Sequence, residues 1–125
     1  MREPSATQNR YPYRNEPDWS GPERRIVRKA FDAALRQKLQ EVMREAKEMA
    51  NKIKEPAEVW ALERHLTERR KDIDRKYEFR SSRLTQVIGM LLCEGEITEE
   101  ELRGLSEDKL KAIRSLAKAL SENAA

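Results

Sequence analysis

Apolar residues recur along this chain at steps of three, four and seven, the spacing of one face of an α-helix. From Pro56 to Gly95 the stripe runs through Val59, Leu62, Leu66, Ile73, Tyr77, Leu84, Val87, Ile88 and Leu91. No proline interrupts this run, and Pro56 and Gly95 stand at a favoured start and stop. The pattern predicts one long helix over 56–94. Its 39 residues would span about 58 Å at about 1.5 Å per residue. The rest of a 125-residue chain cannot cover such a rod on all sides, so a second copy lying along it is the expected arrangement.

Upstream, Ser20 and Glu23 match a capping box with Pro22 in the first turn, which predicts a helix over 21–54. Leu35, Leu39, Val42, Ala46, Met49 and Ile53 alternate steps of four and three as a coiled-coil-like seam, and Val27 and Phe31 extend the apolar face. The break at Lys54-Glu55-Pro56 then folds the chain into an antiparallel helical hairpin. Beyond Gly95, Thr98 and Glu101 form a second capping box for a short helix over 99–103, and Ser106 opens a last helix over 107–121. Leu110, Ile113, Leu116, Ala117 and Leu120, with Ile97, Leu102 and Leu105, are placed to close over Leu84–Leu92 as a small helical head. Residues 1–19 carry three of the five prolines and no apolar period, and read as an extended or disordered arm ahead of a helical domain over 20–125. Trp19 either tucks beside the first helix or belongs to a short partner-binding motif.

The fold class that emerges is all-α: a long hairpin plus a C-terminal head, forming an elongated homodimer. Composition supports it, because Ala, Glu, Lys, Leu and Arg make up more than half of the residues. Charged residues are 39% and aromatic ones 6%, so association would supply apolar burial that one chain lacks. The net charge of +3 comes from interspersed signs. No apolar run is long enough to cross a bilayer, and the cytoplasm is the default location. The single Cys93, after Met90, Leu91 and Leu92, reads as a buried structural thiol.

Catalytic chemistry is not signalled. His65 is the only histidine and reads as a surface residue; no Glu-x-x-His pair, phosphate loop or nucleophile elbow is present, and no metal or cofactor is implied. Trp60 points roughly 120° away from the main stripe, either to meet a second partner or to cover the hairpin turn, and Phe79 is also off the stripe. Arg69, Lys76, Arg80 and Arg83 share one flank of the predicted helix. They form either a solvated face with local pairs such as Arg70 with Asp74 and Asp72 with Lys76, or a docking surface for an acidic partner. Nucleic-acid binding would rest on Arg24, Arg25, Arg28 and Lys29, a patch that interleaved acids dilute.

At Val59-Trp60-x-Leu62, then Arg69-Arg70-Lys71-Asp72-Ile73-Asp74-x-Lys76-Tyr77 and Arg80-Ser81, the chain resembles the fluorescence recovery protein family of cyanobacteria. The similarity continues through Glu94-Gly95, Glu100-Glu101-Leu102 and Lys111-Ala112-Ile113-x-x-Leu116-Ala117. The resemblance implies a non-enzymatic, all-helical homodimer whose long helices form the dimer interface. It also implies binding to the C-terminal domain of photoactivated orange carotenoid protein, faster return to the orange form, and an end to quenching of the phycobilisome. Trp60 and Arg70 carry over as interface or activity residues, and Glu63, Leu66, Ile73, Tyr77 and Arg80 complete the expected partner or dimer surface. Where the family has a His-Asp pair after the tryptophan, this chain has Glu63-Arg64, and Gln86 and Ala112 replace an aromatic and a lysine. The alternative reading is a helical protein-protein adaptor or nucleic-acid-associated regulator with no carotenoid protein partner.

Overall fold

The computed structural model describes residues 18–124. Among them there is no strand; the elements are α1 (Gly21–Lys52), α2 (Val59–Lys76), α3 (Leu84–Cys93) and α4 (Glu107–Ala124), with single 3-10 turns at Pro56–Glu58, Ser81–Arg83 and Glu100–Leu102. The chain is all-α, as its periodicity predicts. Residues 1–17, where most of the expected arm falls, lie outside the described residues. No described helix is long and apolar enough to cross a membrane.

The chain divides into two compact units. The hairpin unit, Asp32–Glu78, holds the larger part of α1 and all of α2. Of the described residues, the head unit takes those up to Phe31 and those from Phe79 onward.

Helix starts follow the predicted chemistry. The Ser20 hydroxyl accepts the Glu23 amide at 3.2 Å while the Glu23 carboxylate accepts the Ser20 amide at 3.1 Å, a complete capping box. Thr98 and Glu101 repeat the arrangement at 3.3 and 2.9 Å. What that second box caps is only the 3-10 turn Glu100–Leu102, not a helix over 99–103. Between α1 and α2, Glu55 is extended (φ −110°, ψ 142°) because the following proline disfavours helical geometry there. The Glu58 carboxylate accepts the Lys54 and Glu55 amides at 2.6 and 2.9 Å and so ties the turn together.

The single long helix over 56–94 is not what forms. α2 stops at Lys76, residues 77–80 leave helical geometry, and α3 begins only at Leu84. Tyr77 still donates its amide to the Ile73 carbonyl at 2.8 Å, but its ψ has swung to 67°, and Arg80 is extended (φ −115°, ψ 132°). Arg75 and Lys76 in the last turn of α2 suit a helix C-terminus. The cause of the break lies in packing. Phe79, off the stripe of a straight helix, packs edge to face on Phe31 with ring centroids 5.1 Å apart and an interplanar angle of 71°. The Arg28 guanidinium lies 4.5 Å from the centre of the same ring.

The core of the head unit is built on Leu84, Ile88, Leu91, Leu102, Ile113 and Val27, all fully buried. Each such aliphatic side chain contributes about 1.5–3 kcal/mol. α3 packs closely on α4 at Gly89, where a Cβ would lie only 3.0 Å from the Leu116 side chain. Past α3, Gly95 adopts φ 75° and the Glu96 amide reaches back to the Leu91 carbonyl at 2.9 Å, closing the helix end. Trp19 is buried in this unit with Lys109 Nζ 5.3 Å from its ring centre, so it belongs to the head and not to an extended arm. Cys93 is only half-buried.

Candidate functional site

The hairpin unit has an apolar stripe that its own helices do not finish covering. Leu35, Leu39 and Val42 from α1 and Leu66, Ile73 and Tyr77 from α2 line an open groove of about 460 Å³, with Arg70 and Asp74 on its edge. Ile73 is the buried floor; Leu39 and Met43 stay about half exposed. Toward the hairpin turn, Val59 is 44% exposed and Trp60 64%. A contiguous apolar groove left open to water, as here, marks a surface that meets something.

A polar clasp fixes the two helices beside this groove. Arg69 donates through Nε to Glu45 Oε1 at 3.0 Å and through one terminal nitrogen to Glu45 Oε2 and Glu41 Oε1, both at 3.2 Å. His65 Nε2 sits 2.8 Å from Glu45 Oε1. The hydrogen bond from His65 and the Arg69 charge hold the Glu45 carboxyl below its ordinary range, against the opposing effect of burial. Glu41 and Glu45 are four residues apart on α1, and His65 and Arg69 four apart on α2; partner numbers fall as the facing helix rises, which defines the antiparallel register. The two ladders of four were present in the sequence, and matching them would have revealed the clasp.

The structure places the expected site residues in three groups. Leu66, Arg70, Ile73 and Tyr77 meet at the groove, where Arg70 Nε approaches Asp74 Oδ2 at 3.9 Å with both side chains well exposed. Trp60 and Glu63 lie nearer the start of α2, off the groove, and Glu63 Oε2 accepts the Thr67 hydroxyl at 3.0 Å. Arg80 belongs to the head unit, beyond the break. The single helix on which the basic flank was expected is therefore absent. Arg69 is spent on Glu41 and Glu45, while Arg80 and Arg83 come after the break in the chain at residues 77–80. Asp72 pairs with Arg75.

The family model for the photoprotection regulator fluorescence recovery protein matches residues 19–117. The chain belongs to the fluorescence recovery protein family. The fluorescence recovery protein of Synechocystis sp. is 32% identical over 103 residues, covering 82% of this chain and 94% of that one. The solved fluorescence recovery protein of Fremyella diplosiphon superposes with a TM-score of 0.73 at 32% identity, over 81% of this chain and 99% of that one. The structure from Synechocystis sp. PCC 6803 gives the same TM-score, identity and coverage. Fluorescence recovery protein is a photoprotection regulator.

Proposed function

We propose that this chain is a non-enzymatic regulator that works as a homodimer, binds the C-terminal domain of photoactivated orange carotenoid protein, and speeds its return to the orange state. The observation that carries this reading is the uncovered apolar surface of the hairpin unit, with Leu39 and Met43 at about half exposure and, off the groove, Trp60 at 64%. A second copy laid along that surface would remove several large apolar side chains from water, each exposed face covering the other. Trp60 and Arg70 stand at positions the family resemblance marks for contact, and both are open to solvent. Leu66, Ile73 and Tyr77 supply the apolar seam; Glu63 and Arg80 are the remaining members of the proposed surface.

The deciding experiment is dark recovery of photoactivated orange carotenoid protein followed by absorbance, with and without this chain. Acceleration is expected, and Trp60→Ala should reduce it several-fold while leaving the helical content unchanged. No acceleration by a well-folded wild-type chain would remove the photoprotective role. A second reading rests on Glu63 and Arg64, which place a carboxylate and a cation where the family resemblance expects a histidine and an aspartate. On that reading the scaffold serves a helical adaptor for a different protein.

A further inference from the structure

The head unit separates its charges in a way that the linear sequence conceals. The α1 segment 21–31 and the segment 79–93 together carry six cations, Arg24, Arg25, Arg28, Lys29, Arg80 and Arg83, and a single carboxylate, Glu23. All six cations are exposed, whereas Glu23 is buried. Moreover, Glu23 is fully engaged, accepting Lys109 Nζ at 2.6 Å through one oxygen and the Ser106 amide at 2.9 Å through the other. Glu23 is thus withdrawn from the surface of this patch, while Asp32, one turn on from Arg28, stays exposed.

Among the contacts that join the segments, two set a guanidinium against a neutral group. Arg24 donates through a terminal nitrogen to the Ser81 hydroxyl at 2.8 Å, and Arg28 stacks over the Phe79 ring. Arg83 likewise donates to a neutral group, the Gln86 side-chain carbonyl, at 3.3 Å. Among the described residues, Arg24, Arg25, Lys29 and Arg83 form no ion pair.

We propose that this arginine-rich face of the head unit is a docking surface for a carboxylate-rich segment of a partner protein. Guanidinium groups present paired donors that match a carboxylate, and a guanidinium already seated on an aromatic ring or a serine hydroxyl loses less freedom on binding. Nucleic acid is the poorer fit. The aromatic rings of the patch are engaged with one another and with Arg28, which leaves no platform on which a base could stack. The proposal goes beyond the photoprotective reading and stands whichever protein is regulated.

The test is fluorescence anisotropy of a labelled oligoglutamate peptide with the full chain, at low and at physiological ionic strength. Wild type should bind the peptide, more weakly as salt rises. Arg25→Glu with Arg83→Glu should weaken binding at least about tenfold. Arg44→Glu with Lys47→Glu, an equal change of net charge on exposed cations of the hairpin unit, should leave it within about twofold. Far-UV circular dichroism reports whether each variant keeps its helices, and Arg25→Gln with Arg83→Gln replaces the reversal pair if that pair does not fold. Equal losses in the head and hairpin variants, no binding by wild type, or tighter binding of single-stranded DNA or phosphatidylglycerol vesicles than of the peptide would each overturn the proposal.

Discussion

Glu23 is the residue on which most local chemistry converges. Its carboxylate closes the capping box of α1, receives the buried Lys109 ammonium and holds the Ser106 amide at the start of α4. The hydrogen bond from Lys109, helped by those from Ser106 and Ser20, lowers its pKa to about 2. A carboxyl whose folded pKa lies below its unfolded value of 4.5 contributes stability in full above that value and loses it as pH falls toward 2. Glu23→Gln should therefore cost about 3 kcal/mol at neutral pH, chiefly by stranding Lys109. The gap between wild type and variant should narrow between about pH 5 and pH 2, which chemical denaturation across that range would measure. Of this network the sequence disclosed the Ser20–Glu23 box, because it is local. Lys109 lies 86 residues away, and only packing could bring it there. The candidate site divides in the same way: Leu66, Ile73 and Tyr77 follow from periodicity, but the Glu45 clasp and the removal of Arg80 to the head follow from pairings that one helix's spacing does not contain.

At the scale of elements, the caps, the hairpin turn and the head helices were legible because each is written in local chemistry. The interruption at 77–80 was not. The step of seven from Tyr77 to Leu84 keeps a helical period across a stretch with neither proline nor glycine, and the weak helix preference of Ser81 and Ser82 is the only local opposition. What wins is a long-range aromatic contact, Phe79 on Phe31, made possible by abandoning a few helical hydrogen bonds. Gly104 is a second element-scale constraint, with φ 106° and the Ile26 side chain 2.7 Å from where a Cβ would sit. Gly104→Ala should cost about 1–3 kcal/mol through the strained backbone alone. Thermal unfolding would check it as a lower midpoint with unchanged helical signal at low temperature.

For the molecule as a whole, the proposed dimer is the feature most open to attack. Leu66→Glu with Ile73→Glu would force two charges into the proposed apolar seam. The expected outcome by light scattering is a shift from about twice 14.7 kDa to the mass of one chain; a double variant that remains dimeric and helical would place the interface elsewhere. The bond between Glu23 and Lys109 has a further consequence for how the chain is made. The hairpin unit is one unbroken stretch of sequence, complete as soon as Glu78 has been synthesised, whereas the head unit must wait for residues near the C-terminus before its first helix finds its partners. On a ribosome the hairpin, with its groove uncovered, would be the first part to stand ready, so the proposed pairing of two copies would not have to wait for either head to close.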